Sequence, residues 1–203
     1  MKSKRVCTQH TDAESHAPVC PEPLRLSATV QDSAADIRPF MAGFPTGVCI
    51  VTSITADGRP RGMTCSSLCS VSLDPPVLLV CLNSASLTLE AVRFSGTFAV
   101  NLIPVQGQPV AELFASGTQD RFEHVAWRGG TGTAGPHLHR TAHAIADCSV
   151  ISDQTVGDHA VIMGKVSTVT ALCAPRPLLY GLRRFTTWPE RAESGSLDCD
   201  FVF

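Results

Sequence analysis

The chain is 203 residues long, 44% hydrophobic and 17% charged, a balance that supports one folded domain with a full core and excludes a disordered chain. A formal net charge of −2 at pH 7 supplies no basic field for nucleic acid and no acidic tail. No run approaches the roughly 18–20 apolar residues of a membrane span.

Met1-Lys2-Ser3-Lys4-Arg5 is basic, but the polar residues after it contain no apolar h-region, so export is not expected and the chain is assigned to the cytoplasm. The nine cysteines are then expected as reduced thiols, with Cys49, Cys65, Cys69 and Cys81 inside apolar, strand-like segments. Residues 1–33 read as a flexible arm, 34–187 as the domain and 188–203 as a polar tail.

In chain order, Asp32 to Met41 predicts a short helix with Asp32 or Ser33 as N-cap. Phe44-Pro45-Thr46-Gly47 is a turn, Val48 to Ile54 a β-branched strand, and Asp57-Gly58 a hairpin signal. From Gly62 to Leu73 one strand is expected, with Thr64, Ser66, Ser70 and Ser72 on one side. Met63, Cys65, Cys69, Val71 and Leu73 fall on the other. Pro75-Pro76 ends it, since neither proline can donate to a ladder.

Val77 to Leu82 reads as a strand buried on both faces. Asn83-Ser84-Ala85-Ser86 then opens a helix that runs to about Phe94 and closes at Gly96. Phe98 to Ile103 is a strand, Val110 to Phe114 lies in a helix ending near Gly117, and 118–122 is a loop leading to Trp127. Strands follow at 142–153, 159–172 and 178–185. Many strands, few short helices and frequent hairpins give a mainly β fold, a closed or nearly closed antiparallel barrel with peripheral helices.

Several constellations carry chemistry. The hydroxyl run suits either solvent or the edge of a flat polar ligand. The helix start at Asn83 to Thr88 offers free N–H groups to an anion, or is simply capped by Ser84 or Ser86. Gly157-Asp158-His159 is a tight turn projecting an imidazole that can hydrogen-bond a carboxamide, or an incidental surface histidine. His137-x-His139-x3-His143 lacks a cysteine or carboxylate at metal-ligand spacing, so no metal is expected. Cys65-x3-Cys69 has no electropositive setting to form a thiolate. There is no Gly-rich dinucleotide fingerprint and no Walker loop.

Taken in order, Phe44-Pro45-Thr46-Gly47-Val48, Gly62-Met63-Thr64, Ser70-Val71-Ser72-Leu73-Asp74-Pro75-Pro76, Phe98-Ala99-Val100-Asn101, Asp120-Arg121-Phe122, Gly157-Asp158-His159 and Pro177-Leu178-Leu179-Tyr180 resemble the short-chain flavin reductase family. The likeness covers about residues 36–186. It implies a split (Greek-key) antiparallel β-barrel and a homodimer with flavin, FMN or FAD, near the subunit interface. The resemblance places the isoalloxazine along Met63, Thr64, Cys65, Ser66 and Ser67, and the ribityl-phosphate end at Cys81, Leu82, Asn83, Ser86 and Thr88. Ala115, Arg121 and Phe122 would close over the flavin, and His159 with Tyr180 would meet the nicotinamide of NADH or NADPH.

Hydride transfer would then belong to the cofactors, with no protein acid required. Reduced flavin would pass by diffusion to a flavin-dependent monooxygenase. The alternatives are a split-barrel flavoprotein with tightly bound flavin performing a pathway-specific oxidation, and a non-catalytic flavin-binding module. One departure stands out: where the family often has Ser-Arg-Thr or Ser-Lys-Thr in the phosphate loop, this chain has Ser86-Leu87-Thr88. That removes a charge-assisted contact to phosphate.

Overall fold

The computed structural model describes residues 36–129, 132–174 and 176–188. The predicted arm at 1–33 and the tail beyond Trp188 lie outside the described residues, as do Asp32 and Ser33, but the helix expected from Asp32 begins only at Arg38, with Ile37 as its N-cap. Helix α1 is Arg38–Ala42, followed by β1 (Thr46–Gly47), β2 (Cys49–Ile54), β3 (Pro60–Cys65), β4 (Cys69–Leu73) and β5 (Pro76–Asn83). Then come α2 (Leu87–Ser95), β6 (Thr97–Leu102), α3 (Gln108–Ala115), the long pair β7 (Ala144–Val156) and β8 (His159–Ala171), and the short pair β9 (Leu178–Gly181) and β10 (Arg184–Thr187).

Seven strands form one antiparallel sheet in the order β3-β2-β6-β7-β8-β5-β4, while β1, β9 and β10 form a second. The expected mainly β architecture is borne out. The single hydroxyl strand is not: it breaks at Ser66–Leu68 into β3 and β4, which lie on opposite edges of the seven-stranded sheet. Alternation of residue type fixes which residues share a face, but carries no information on whether the pleat continues.

At the break, Ser67 crosses to β5. Its hydroxyl accepts from the Cys81 N–H at 2.9 Å and donates to the Cys81 carbonyl at 3.1 Å. That stitch brings the β3 edge against β5 and curls the sheet towards closure. Inside, Cys49, Val51, Val80, Leu82, Phe98, Val100, Cys148 and Ile162 pack together, and Leu89 and Val92 of α2 plug the same core. On the outer face, Val48, Ile50, Ile103, Phe114, Leu138 and Leu178 form a second cluster beneath α3. Burial of these aliphatic and aromatic side chains contributes roughly 1.5–3 kcal/mol each.

Two other elements differ from expectation. The strand predicted at 178–185 is a hairpin, turned by Leu182 and Arg183 at φ +50° and +58°. Such a turn is usually announced by Asn-Gly, and neither residue type gives that signal. The predicted loop at 118–122 instead leads into a 3₁₀ turn, Arg121–His124. Asn101, part of the resemblance, is fully buried. It donates to the Ile50 carbonyl and Thr52 Oγ1 and accepts from Leu138 N–H, tying the 134–143 segment to the sheet.

Candidate functional site

The site is built outward from β3. At buried Gly62 a Cβ would stand 2.9 Å from the Phe114 ring and 3.1 Å from the Thr52 methyl, so the absence of a side chain lets α3 pack directly on the strand. Thr64 reinforces the contact by donating its hydroxyl to the Ala111 carbonyl at 2.6 Å. Its side chain is therefore turned towards α3. Among the described residues strand β3 pairs with β2 alone, so alternate backbone groups along its other edge face away from the sheet.

The Gly62 carbonyl is one of these, since Arg121 Nη1 reaches it at 2.9 Å. The period-two alternation then turns the backbone N–H and C=O of Thr64 outward as well.

Arg121 is held by the chain itself. It donates to the carbonyls of Phe114 (3.1 Å), Thr118 (2.7 Å) and Ser116. Asp120, at φ +56°, turns the backbone so that the guanidinium reaches back to the end of α3. Burial, followed by repulsion from Arg61, lowers the Arg121 pKa. Phe122 stacks edge-on against Phe114 with centroids 5.0 Å apart, and Trp127 against Phe122 at 5.7 Å. Ala115, Arg121 and Phe122 are thus brought together beside Met63. The guanidinium, however, is committed to backbone carbonyls, so what it contributes directly is loop position.

Cys65 and Cys49 face each other across the β2–β3 register, both buried. The Cys65 thiol is pulled from the ordinary 9.0 to about 6, chiefly by a hydrogen bond from the Cys49 side chain and then by Ser67. The Cys49 thiol is pushed up by the same contact and by burial. The lowering comes from hydrogen bonds and not from the electropositive setting sought in the sequence. The six described cysteines are free thiols.

The second part of the site follows the Ser67–Cys81 stitch along β5. Ser86 caps α2 by accepting from Leu89 N–H at 3.1 Å, Asn83 Oδ1 accepts from Ala85 N–H, and Thr88 is buried. Leu82 lies wholly in the core, so its side chain is out of a ligand's reach. Capping therefore accounts for the side chains of Ser86 and Asn83, while the first amides of α2 have no partner within the helix.

Asn83 stands opposite His159 in the β5–β8 register. The Ser84 N–H donates to the Asp158 carbonyl, drawing the 157–159 turn against the start of α2. His159 Nδ1 lies 2.8 Å from Asp158 Oδ1, and this hydrogen bond lowers the Asp158 carboxyl pKa.

Tyr180 is not brought to His159. His159 opens β8, paired with Val156, whereas β8 closes where Ala171 pairs with Ala144. Leu178 is hydrogen-bonded to Ile103 and Val48 at that far end, and Tyr180 packs there on Phe185. Of the three spaced histidines, His137 contacts the buried Asp147 at 2.8 Å. Among the described residues no three metal-binding side chains converge.

Sequence reading passed over Asp158 as the orienting partner of His159, although its adjacency was visible. It also passed over Arg61 on β3 and Phe94 on α2, which carried no motif.

Residues 41–189 match the family model described as the flavin reductase like domain. The chain is 50% identical over 156 residues to the flavin reductase (NADPH) of Lentzea aerocolonigenes, covering 77% of this chain and 91% of that protein. Among solved structures it resembles the NADH:FAD oxidoreductase SgcE6 of Streptomyces globisporus, in complex with NAD and FAD fragments. That likeness has a TM-score of 0.71 at 32% identity, over 77% of this chain and 93% of the other. It also resembles a homolog of nitrilotriacetate monooxygenase component B from Mycobacterium thermoresistibile, with a TM-score of 0.73 at 32% identity over 81% and 92%. The match spans the barrel, the edge strand and the α2 start just described, and the chain belongs to the flavin reductase family.

Proposed function

We propose that the chain is an NAD(P)H-dependent flavin reductase that hands reduced FMN or FAD to a partner monooxygenase by diffusion. The observation that carries this reading is the outward backbone edge of β3 lying one stitch away from the α2 start and His159. A flat heteroaromatic ring with a polar edge and a phosphate tail fits that layout. Bound flavin supplies the two-electron chemistry, accepting hydride from the reduced nicotinamide.

The chain's part is to bind and orient. The backbone of Met63 to Ser67 holds the polar edge of the ring, and donors aimed there favour the negative charge of the reduced form without a protein acid. Cys81, Asn83 and the amides at Ser86 to Thr88 hold the phosphate end. Ala115, Arg121 and Phe122 form the flank that keeps water away. The Asp158 contact at Nδ1 leaves His159 Nε2 to accept from a carboxamide N–H.

The same reading includes a homodimer. The separation of His159 from Tyr180 within one chain is removed if a second copy supplies Tyr180. Val71, Leu73, Ile151 and Val169 are large apolar side chains left exposed, as a subunit interface would use. Among the described residues no helix is long and apolar enough to cross a membrane. Operation in the cytoplasm, where reduced nicotinamide is at hand, belongs to the same proposal.

The test follows loss of reduced-nicotinamide absorbance with and without FMN, FAD or riboflavin. Flavin-stimulated oxidation is the expected result, and tight flavin without turnover would overturn it. In the same assay His159→Ala raises the nicotinamide KM about tenfold, the loss of roughly one hydrogen bond, with a much smaller change in flavin affinity. Unchanged nicotinamide kinetics would remove His159 from the site.

A further inference from the structure

A cleft of ≈ 260 Å³ lies between the β2–β3 hairpin and α2, with Arg59, Arg61, Leu87, Glu90, Ala91 and Phe94 among its lining residues. Its volume is below the roughly 300–1,000 Å³ of a complete small-molecule pocket, so it suits a fragment of a larger ligand.

The charges there are unevenly spent. Arg59 pairs with Asp57 at 2.5 Å. Arg61 has a buried Nε with no hydrogen-bond partner among the described residues. A guanidinium without a paired carboxylate makes a place for an anion, and its planar, forked shape matches phosphate best.

The opposite wall is of a different kind. Leu87 and Phe94 are 57% and 64% exposed, seven residues apart and hence on one face of α2. They are separated by about 10 Å along the helix axis. Between them stands Glu90, an acceptor without an ion-pair partner among the described residues. A cation, an exposed aromatic face and a carboxylate acceptor together match an adenylate. Its phosphate meets Arg61, its base lies on Phe94, and its exocyclic amine donates to Glu90. A free phosphate would use only the first of these, and a carboxylic acid would leave the ring and Glu90 idle.

Leu87 also follows the Ser86 cap directly, so the cleft begins where the flavin phosphate end is placed. FMN ends at that phosphate, whereas FAD continues into an adenylate. We infer that the Arg61–Glu90–Phe94 cleft receives the adenylate half of FAD and makes FAD the preferred flavin of this chain. Arg61 thereby provides, from β3, the cation that Ser86-Leu87-Thr88 lacks. The inference rests on the flavin reading above.

The experiment measures dissociation constants of riboflavin, FMN and FAD with the full chain by quenching of flavin fluorescence. The variants are Phe94→Ala and Arg61→Ala. FAD is expected to bind about tenfold tighter than FMN. Phe94→Ala, at an exposed position, lowers the FAD-to-FMN affinity ratio about fivefold through lost base stacking. Arg61→Ala weakens FAD about tenfold and flattens its salt dependence.

Equal FMN and FAD affinity in the unmodified chain, or an unchanged ratio in Phe94→Ala, overturns the inference while flavin-stimulated turnover leaves the reductase reading standing. If no flavin quenches and none stimulates turnover, the reductase reading falls first.

Discussion

Residues 62–67 and 69–73 carry the same alternation of hydroxyl and apolar side chains, yet they have opposite fates. The first half is packed on Phe114 and α3, and its hydroxyls at Thr64 and Ser67 are bound to backbone groups of Ala111 and Cys81. The second half is β4, on the far edge of the sheet, where Ser70, Val71 and Leu73 are exposed. Composition is shared, and the neighbours differ. A hydroxyl in the first half is a structural fastener that positions an edge of backbone, while one in the second half is chiefly surface.

The largest break in this comparison comes from Gly62→Ala. The new methyl would sit 2.9 Å from Phe114 Cε1 and 3.1 Å from Thr52 Cγ2, so α3 must move off β3. Over-packing of this kind costs about 1–3 kcal/mol, and the thermal midpoint falls accordingly. Flavin affinity falls with it, because the Thr64 backbone loses its fixed position. An unchanged midpoint would show that α3 yields without cost and that the first half is no more constrained than the second.

A smaller effect separates the two halves by the same chemical change. Ser67→Ala removes both hydrogen bonds to Cys81 and leaves its backbone groups to find other partners, at a cost of about 1–3 kcal/mol. Ser70→Ala, at an exposed position, stays within about 0.5 kcal/mol. Denaturation midpoints of the two variants, compared side by side, check the difference. Equal losses would contradict the fastener role of Ser67.

The fate of these residues marks how far the sequence is legible. The α2 boundaries came through closely, because Ser86 as N-cap and Gly96 as a left-handed C-cap (φ +69°) are local devices written in local residues. The long strands β7 and β8 were readable from their apolar runs. The break at Ser66–Leu68 was not, because it depends on Ser67 meeting Cys81 fourteen residues away. The 178–185 hairpin escaped because Leu182 and Arg183 adopt a turn that their own preferences disfavour.

At the site, the fold brings β3, the start of α2 and the 157–159 turn into one region, while several of the named side chains are engaged inside the protein. Thr64, Ser67 and Arg121 spend their donors inside the protein, and Leu82 is core. The resemblance set Tyr180 beside His159, whereas strand register puts them at opposite ends of the β7–β8 ladder.

The finest distinction between the halves lies in their cysteines. Cys69 is exposed on β4, whereas Cys65 is buried opposite Cys49 and pulled to about 6 by the Cys49 side chain and by Ser67. A thiol whose folded pKa is depressed contributes stability that is present above its ordinary value of 9.0 and lost as pH falls through about 6. Cys49 has the opposite sign. Its raised pKa withholds ionisation in the folded state, and so subtracts stability only above the ordinary 9.0.

Between those limits Cys65 therefore contributes a gain in stability with rising pH. In Cys65→Ser that gain is absent, and the thermal midpoints of the two proteins converge as pH falls towards the lower limit. Thiolate absorbance gives an independent reading, with one step near the lower limit in the unmodified chain and none in the variant. Ser67→Ala moves the step upward, because in the thiolate form the Ser67 hydroxyl, 2.9 Å from the sulfur, turns its one proton from the Cys81 carbonyl to the sulfur. A step that stays in place in Ser67→Ala would mean that Ser67 fastens only β5 and leaves the sulfur beside it untouched.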